Sequence, residues 1–552
     1  MKRFSILALV LVLTLSLGIL LNACDSYNYF EVPTTAYRPG EEFLKGWSND
    51  NNGYAINDAE VQRLINVLPS ERQLNYLELE YYCFIHFGMN TFTGKEWGTG
   101  KESPQKFNPT DLSTDQWCEV LKASGAKGVI LTAKHHDGFC LWPTATTEHS
   151  VKNSPYKNGN GDILAELSES CRRFGLKMGI YLSPWDMNAE SYGTDAYHDF
   201  YMAQLTELLD GRYGVDTDGD GKKEIFCVWM DGALGEEENL DNSYYKMDEY
   251  EALIRRLQPD CVTAIQGSDV RWVGNEAGIA RPSEWSVVGS GMSGDDNFQT
   301  DQGEADDLQV VSPESQDLGS REVLKGQQNL IFKPAEVDVS IRKGWFYHPL
   351  QQPKDVEHLL QIYYTSVGGN SSLLMNIPPN KEGRIAMKDV RTLIAFGNAV
   401  RNSTANPVAI DHVKVGNGQQ TVASVAAKSA LLDRDGDEDG NGMIDWAHDI
   451  TSYRMGDNEY IIDLDLQGLS RIGRIDLRED LRYSQRIEAF EIWIKSNGGW
   501  KLVGDGTVVG NRKIMMFDNL PATDGVRIVI KQSRSNPVLR SVAVYEQSQL
   551  PY

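Results

Sequence analysis

The chain of 552 residues has no basic stripe. Its 53 Lys and Arg are outnumbered by 78 Asp and Glu, a net charge of −25. A nucleic-acid backbone or an anionic lipid surface would repel such a chain, which excludes both as principal partners and favours a neutral substrate. Cysteine is scarce: there are seven, none in Cys-x-x-Cys spacing and none beyond Cys261. That argues against a zinc cluster and against a dense disulfide framework. After residue 23 no run approaches the ~18 apolar residues that a membrane helix needs. No Gly-x-Gly-x-x-Gly follows an early strand, which weakens an open doubly wound sheet as the alternative fold, and no Gly-x-Ser-x-Gly elbow precedes a helix. Neither His-x-His nor His-x-x-x-His occurs, and no repeat with a fixed period is found.

What is present is a large stock of core material. Hydrophobic residues make up 41% of the chain and charged residues 24%, with 12 Trp, 24 Tyr and 17 Phe. Such a composition excludes intrinsic disorder for the bulk of the chain, and the length suits one large domain with one or two smaller ones. Met1-Lys2-Arg3 followed by the apolar Phe4 to Leu21 has the form of a secretory leader. Its ending, Leu21-Asn22-Ala23-Cys24, resembles a bacterial lipoprotein box. Residues 1–23 are therefore expected to be a lipoprotein signal and Cys24 the lipid-bearing residue of an exported protein, periplasmic or at the cell surface. Residues 24–60, rich in Asn, Gly, Tyr and Pro, read as a tether.

From residue 61 to 402 short β-type runs alternate with helical ones. Strands are expected at Tyr81–His86, Gly128–Lys134, Lys177–Ser183, Glu224–Asp231, Cys261–Gln266 and Leu373–Ile377. Helices are expected at Asp115–Ser124, Ile163–Phe174, Tyr197–Leu209, Met247–Leu257, Val356–Val367 and Asp389–Asn398. Alternation sustained over this length predicts an α/β fold, a (β/α)8-type barrel. Beyond residue 403 the pattern changes to alternating apolar and polar residues, as in Ile461–Leu466, Phe490–Ile494 and Val526–Ile530, broken by Gly/Asn turns. This predicts an antiparallel β-sandwich over 403–552.

In a β/α barrel the site is built at the C-terminal ends of the strands. Those ends carry His86, then His135-His136-Asp137, then Tyr181 to Asp186, then Trp229-Met230-Asp231-Gly232. Four successive strands thus bring histidine, carboxylate and aromatic side chains to one face. Adjacent His135 and His136 on an extended strand would point to opposite sides, which argues against their sharing one metal ion; no metal ligand is assigned. Carboxylate chemistry in an aromatic cleft remains. Aromatic faces cover sugar C–H surfaces while imidazoles and carboxylates take hydroxyls.

Phe84-Ile85-His86-Phe87-Gly88-Met89-Asn90-Thr91-Phe92-Thr93, Glu96-Trp97-Gly98, Lys134-His135-His136-Asp137-Gly138-Phe139, Tyr181-Leu182-Ser183-Pro184-Trp185-Asp186 and Trp229-Met230-Asp231-Gly232-Ala233 together resemble family 29 glycoside hydrolases, the α-L-fucosidases. Arg271-Trp272-Val273-Gly274-Asn275-Glu276, Pro334 to Arg342 and Leu374-Met375-Asn376-Ile377-Pro378-Pro379 are similar to the subset that prefers branched α-1,3/1,4-fucosides. The resemblance implies an exo-acting retaining enzyme with Asp231 as nucleophile and Glu276, in a Gly-Asn-Glu motif expected after strand five, as acid/base. Glu284 and Glu336 stand as rival acids. It also implies that His86, Glu96, Trp97, His135, His136, Tyr181 and Trp229 hold the fucose of a fucosylated glycan, with Trp142 and Trp345 as further packing candidates, and that catalysis needs no cofactor. Two other readings stay open: a non-catalytic surface glycan-binding lipoprotein, and a glycosidase for a related sugar. The tail resembles a discoidin-like sandwich. Two acidic loops stand outside the family pattern. Asp216 to Gly221 begins like a Ca²⁺ loop, and Asp437–Asp445 offers a second frame for a structural Ca²⁺, both without the bidentate Glu at position twelve. Nothing in the sequence sets the oligomeric state.

Overall fold

The computed structural model describes residues 59–217, 219–235, 240, 242–290, 316–327, 329–415, 420–422, 453–454 and 461–547. The leader, Cys24, nearly all of the expected tether and the Asp437–Asp445 loop lie outside these residues. Residues 59 and 60 already belong to a first helix, Ala59–Ile65.

Eight strands form one parallel sheet: β1 (Tyr81–Ile85), β2 (Gly128–Lys134), β3 (Lys177–Leu182), β4 (Cys227–Met230), β5 (Val262–Ile265), β6 (Arg271–Trp272), β9 (Ala335–Ser340) and β10 (Ser371–Asn376). Their spatial order is β5-β4-β3-β2-β1-β10-β9-β6. A parallel bridge from Ala264 to Val270 draws the two edges together, so the sheet curls into a nearly closed barrel. Period-two alternation sorts the side chains. Tyr82, Phe84, Ile130, Tyr181, Cys227, Trp229 and Leu374 share the interior cluster. The residues between them, such as Tyr81, Cys83, Leu131, Ile180, Val228 and Met375, join the cluster under the helices.

Six helices of eleven residues or more follow barrel strands: Thr114–Ser124, Ile163–Phe174, Ala196–Leu209, Met247–Leu257, Val356–Ser366 and Met387–Asn402. Their boundaries have local causes. Ser113 and Asp162 accept the N-terminal amides of the first two through their side chains, and Gly125 and Gly175, at φ 94° and 67°, end them in the left-handed conformation. The regular β/α alternation expected from sequence fails after two successive strands. β5 runs into β6 without a helix. Between β6 and β9 the described residues form a small antiparallel pair, β7 (Val287–Gly289) with β8 (Leu330–Phe332), and a one-turn helix, Arg321–Leu324.

After the barrel come β11 (Ile410–Val415), β12 (Gln420–Val422), β13 (Tyr453–Arg454), β14 (Ile461–Ser470), β15 (Ile472–Glu479), β16 (Ile487–Ser496), β17 (Gly499–Gly506), β18 (Lys513–Met516), β19 (Thr523–Ser533) and β20 (Val538–Glu546). They make antiparallel sheets of order β12-β11-β14-β19-β16-β17 and β13-β20-β15-β18. Inward residues of both, among them Ile475, Leu477, Phe490, Ile528 and Val542, form one core.

The sandwich docks on the N-terminal side of the barrel through buried charge. Arg512 bonds Asp476 at 2.7 Å and Glu80 at 2.6 Å, and Arg478 also bonds Glu80. Arg540 pairs with Glu78, and Glu488 bridges Arg321 and Arg534. Of the two acidic loops, only the first is described, except Asp218. There the Asp216 carboxylate accepts Gly219 N and Gly221 N at 2.7 and 3.0 Å, which makes a hydrogen-bonded turn.

Candidate active site

Strand alternation continues past the strand ends and delivers the site. On β1 the interior series Tyr82, Phe84 leads to His86; on β4 the series Cys227, Trp229 leads to Asp231. The Asp231 carboxylate is partly exposed and fixed from two sides. Tyr181 donates its hydroxyl to Oδ2 at 3.0 Å, and Ala233 N donates to Oδ1 at 2.9 Å. His136 Nε2 stands 3.8 Å from Oδ2.

The histidines beside it form a neutral cluster. Asn376, at the end of β10, gives its amide hydrogens to Ser340 Oγ and Trp345 O at 2.9 and 2.7 Å. Its Oδ1 must then accept from His86 N and His86 Nδ1, at 3.2 and 2.9 Å, which leaves His86 Nε2 as an acceptor. Ser183 Oγ donates to Trp185 O at 2.6 Å, so it accepts from His136 Nδ1 at 2.7 Å, and His136 Nε2 is likewise an acceptor. Burial pushes the His86 imidazole down to about 3 and lowers His136 and His135 as well, His135 under the added influence of His136 and His86. Buried His135 Nδ1 has no hydrogen-bond partner among the described residues. Neutral imidazoles with free nitrogens suit the hydroxyls of an uncharged polyol.

His135 and His136 do not point to opposite sides as the alternation argument expected. β2 ends at Lys134, the pair lies in the turn beyond it, and the two rings share the pocket with centroids 4.2 Å apart. No group of three or more His, Cys, Asp or Glu among the described residues is arranged to hold a metal. Aromatic rings wall the pocket. Tyr181 stacks on Trp229 at 5.3 Å, and Phe84 meets Trp229 edge-on. Trp345 lies over His86 at 5.1 Å, and Trp97, 57% exposed, contacts His136 and Trp185 at the rim.

Glu276 follows β6, one strand later than expected. Its Oε2 accepts from Trp345 Nε1 at 3.2 Å. Burial raises its pKa, the charges of Asp231 and Glu96 raise it further, and the Trp345 bond opposes them. Glu96 accepts the backbone amides of Trp345 and Phe346 at 2.9 and 3.2 Å, tying the β1 loop to the β9 loop across the pocket. Both rival acids are engaged elsewhere. Glu284 is fully buried between Arg271 and Arg281. Glu336 lies lower in the barrel, where it accepts from Tyr76, Tyr82 and Trp229 Nε1, the last at 2.7 Å. Trp142 is not in the pocket: it is fully buried and donates to Glu207 at 2.7 Å.

A family model described as alpha-L-fucosidase matches residues 71–403, the whole barrel. Alpha-L-fucosidase 1 of Arabidopsis thaliana is 37% identical over 486 residues, 87% of each chain. The chain belongs to the α-L-fucosidases, glycoside hydrolase family 29. Among solved structures, that of SpGH29 is 35% identical with a TM-score of 0.72, covering 87% of this chain and 98% of its own. A Ruminococcus gnavus family 29 fucosidase in complex with fucose is 28% identical with a TM-score of 0.71, covering 88% and 96%. Sequence reasoning gives no role to three polar residues of this fucosidase: Asn376, which holds His86, Asp338, which accepts from Trp272, and Ser183, which holds His136 and stands in the Tyr181 to Asp186 strand end already named. Each is detectable as a polar residue at or near a strand's C-terminal end, the criterion that singles out the mouth residues of β1 to β4 and applies equally to β9 and β10.

Proposed function

We propose that this α-L-fucosidase is an exo-acting, retaining enzyme that removes terminal α-1,3/1,4-linked fucose from branched glycans. The observation that carries the mechanism is the pairing of two unlike carboxyls at one barrel mouth. Asp231 is held by a tyrosine hydroxyl and a backbone amide, and Glu276 has its pKa raised by burial and by the Asp231 charge. Opposed environments of this kind separate a nucleophile from an acid. Asp231 attacks the anomeric carbon while Glu276 gives its proton to the departing glycosidic oxygen, leaving a fucosyl ester on Asp231 and an ionised Glu276. Glu276 then takes a proton from water, whose oxygen displaces Asp231 and restores both groups. His86, His135, His136, Tyr181, Glu96, Trp97 and Trp229 bind the sugar, the two free imidazole nitrogens accepting hydroxyls and the aromatic rings covering its apolar face.

The linkage preference is supported by the likeness of residues 271–276, 334–342 and 374–379 to the branched-fucoside subset, and by the exposed Trp97 and the Trp345 ring near Glu276. Catalysis needs no cofactor in this scheme. The deciding experiment follows digestion of a Lewis-type trisaccharide and an aryl α-L-fucoside by NMR. α-Fucose appearing first, with the trisaccharide preferred, supports both parts. β-Fucose first means inversion and a reassignment of both carboxyls, and glycan binding without release would favour a non-catalytic role. Asp231→Ala should bind fucose and abolish turnover. We further propose that the leader exports the chain and that Cys24 carries lipid; Cys24→Ala should then move the protein from the membrane to the soluble fraction, and a variant that stayed membrane-bound would refute the anchor.

A further inference from the structure

The loop that carries Glu276 is built onto β9. At its start Val273 N donates to Glu336 O at 2.9 Å, and just past Glu276 Ala277 forms an antiparallel bridge with Val339. Between these two attachments lies Asp338, which is 3% exposed and shares the inward side of β9 with Glu336 and Ser340. It accepts the Trp272 indole N–H at 2.8 Å, and Trp272 is the last residue of β6 before the loop begins. We propose that Asp338 is a positioning residue for Glu276: by fixing the Trp272 indole under the 273–277 loop, it sets where the acid/base carboxyl stands relative to Asp231. The proposal rests on the acid/base reading of Glu276.

The charges that face Asp338 are Glu276 from the loop after β6, Asp231 from the end of β4, and Glu336 one inward position below it on β9. Its cross-strand neighbour on β10, Leu374, does not titrate, nor do Asn376 or Trp272. Burial, with Glu276 and Asp231 adding to it against the Trp272 bond, pushes the Asp338 carboxyl up to about 8. At neutral pH it is therefore an uncharged acid, able to hold Trp272 without placing a further anion beside the reacting pair. An ionised side chain at this place would add repulsion to a floor that already carries the Asp231 charge.

The test compares Asp338→Ala and Asp338→Asn on two substrates, a fucosylated oligosaccharide and an aryl fucoside with an acidic phenol. The aryl leaving group needs little help from a general acid, whereas the sugar alcohol needs the full contribution of roughly 10²–10⁴-fold. In Asp338→Ala, kcat/KM on the oligosaccharide should fall by about ten- to a hundredfold, while the aryl fucoside changes by less than about threefold. Asp338→Asn keeps an oxygen for the Trp272 N–H and no charge, so it should recover most of the loss. Its alkaline limb of kcat/KM should coincide with that of the parent enzyme below about pH 8. Equal losses on both substrates, or an Asn variant as poor as the Ala variant, would overturn the positioning role. An alkaline limb displaced to lower pH in the Asn variant would mean that Asp338 is charged at neutrality and would overturn it as well. If Asp338→Ala does not fold, the Asn profile alone decides. Glu276→Ala serves as the control for the underlying assignment: a variant with undiminished oligosaccharide turnover would remove Glu276 as the acid, whatever Asp338 does.

Discussion

Glu80 offers a sharp separation of stability from catalysis. It sits one residue before β1 and meets Arg478 and Arg512 of the sandwich. Burial alone would raise its carboxyl, but the two guanidinium groups outweigh burial and hold it down at about 2 against an ordinary 4.5. That difference corresponds to about 3 kcal/mol at 1.36 kcal/mol per pH unit, and the side chain is only 12% exposed, so little of it is lost to solvent screening. Glu80→Gln removes the charge, keeps the shape and leaves two buried arginines short of a partner, a change of the same order. Chemical denaturation at pH 7 should show the variant less stable by about 3 kcal/mol. Because the folded-state pKa is depressed, the advantage of the parent protein is complete above about 4.5 and disappears as pH falls towards about 2; the gap between the two proteins should narrow through that window. Catalysis should not follow, since six residues of extended chain place Glu80 about 20 Å from His86. Equal stability at pH 7, or a gap that did not narrow in acid, would refute the electrostatic account of the interface.

His86→Phe should weaken fucose binding by roughly tenfold or more, one hydrogen-bond acceptor in a desolvated pocket being worth about 1.5 kcal/mol or above, measured by calorimetry. With His86 held at about 3 by burial, its neutral form persists down to that pH. An acid-side loss of affinity near pH 6 that is present in the parent and absent from His86→Phe would contradict the assignment. Trp142→Phe should leave KM and kcat unchanged while lowering stability by about 1–2 kcal/mol, because its buried indole bonds Glu207 away from the pocket; a rise in KM would return it to the site. Glu488→Gln should destabilise the fold without altering turnover, since Glu488 bridges Arg321 and Arg534 at the domain junction, and a thermal melt beside an activity assay checks both halves.

Strand periodicity alone makes much of the barrel and its mouth legible. The inward series Tyr82, Phe84, His86 and Cys227, Trp229, Asp231 are local facts of alternation, which is why His86 and Asp231 can be placed at the mouth from their positions in the chain. The helices around the barrel are equally legible, since their apolar spacing and caps lie within a few residues. The resemblance points to Glu276 through its Gly-Asn-Glu motif, but the surroundings of Glu276, Glu284 and Glu336 cannot be read from the residues next to them in the chain. Closure of the barrel sets those surroundings: it encloses Glu284 with Arg271 and Arg281, buries Glu336 against Trp229, 107 residues away in sequence, and leaves Glu276 beside Trp345.

The other departures have causes of their own. The two histidines share one pocket because they lie in the turn past β2, whose end at Lys134 is as expected, and strand alternation does not govern side chains in a turn. No helix separates β5 from β6 because β5 ends at Ile265 and β6 begins at Arg271, a link too short to hold one, and Trp142 lies buried with its indole on Glu207 of helix Ala196–Leu209. What the residues alone determined was the kind of fold and the chemistry available at its rim, since both depend on local pattern and residue type. Only the tertiary structure decided which carboxyls are neutralised, which are raised and which are left facing each other, because burial and charge at each one are set by residues far along the chain.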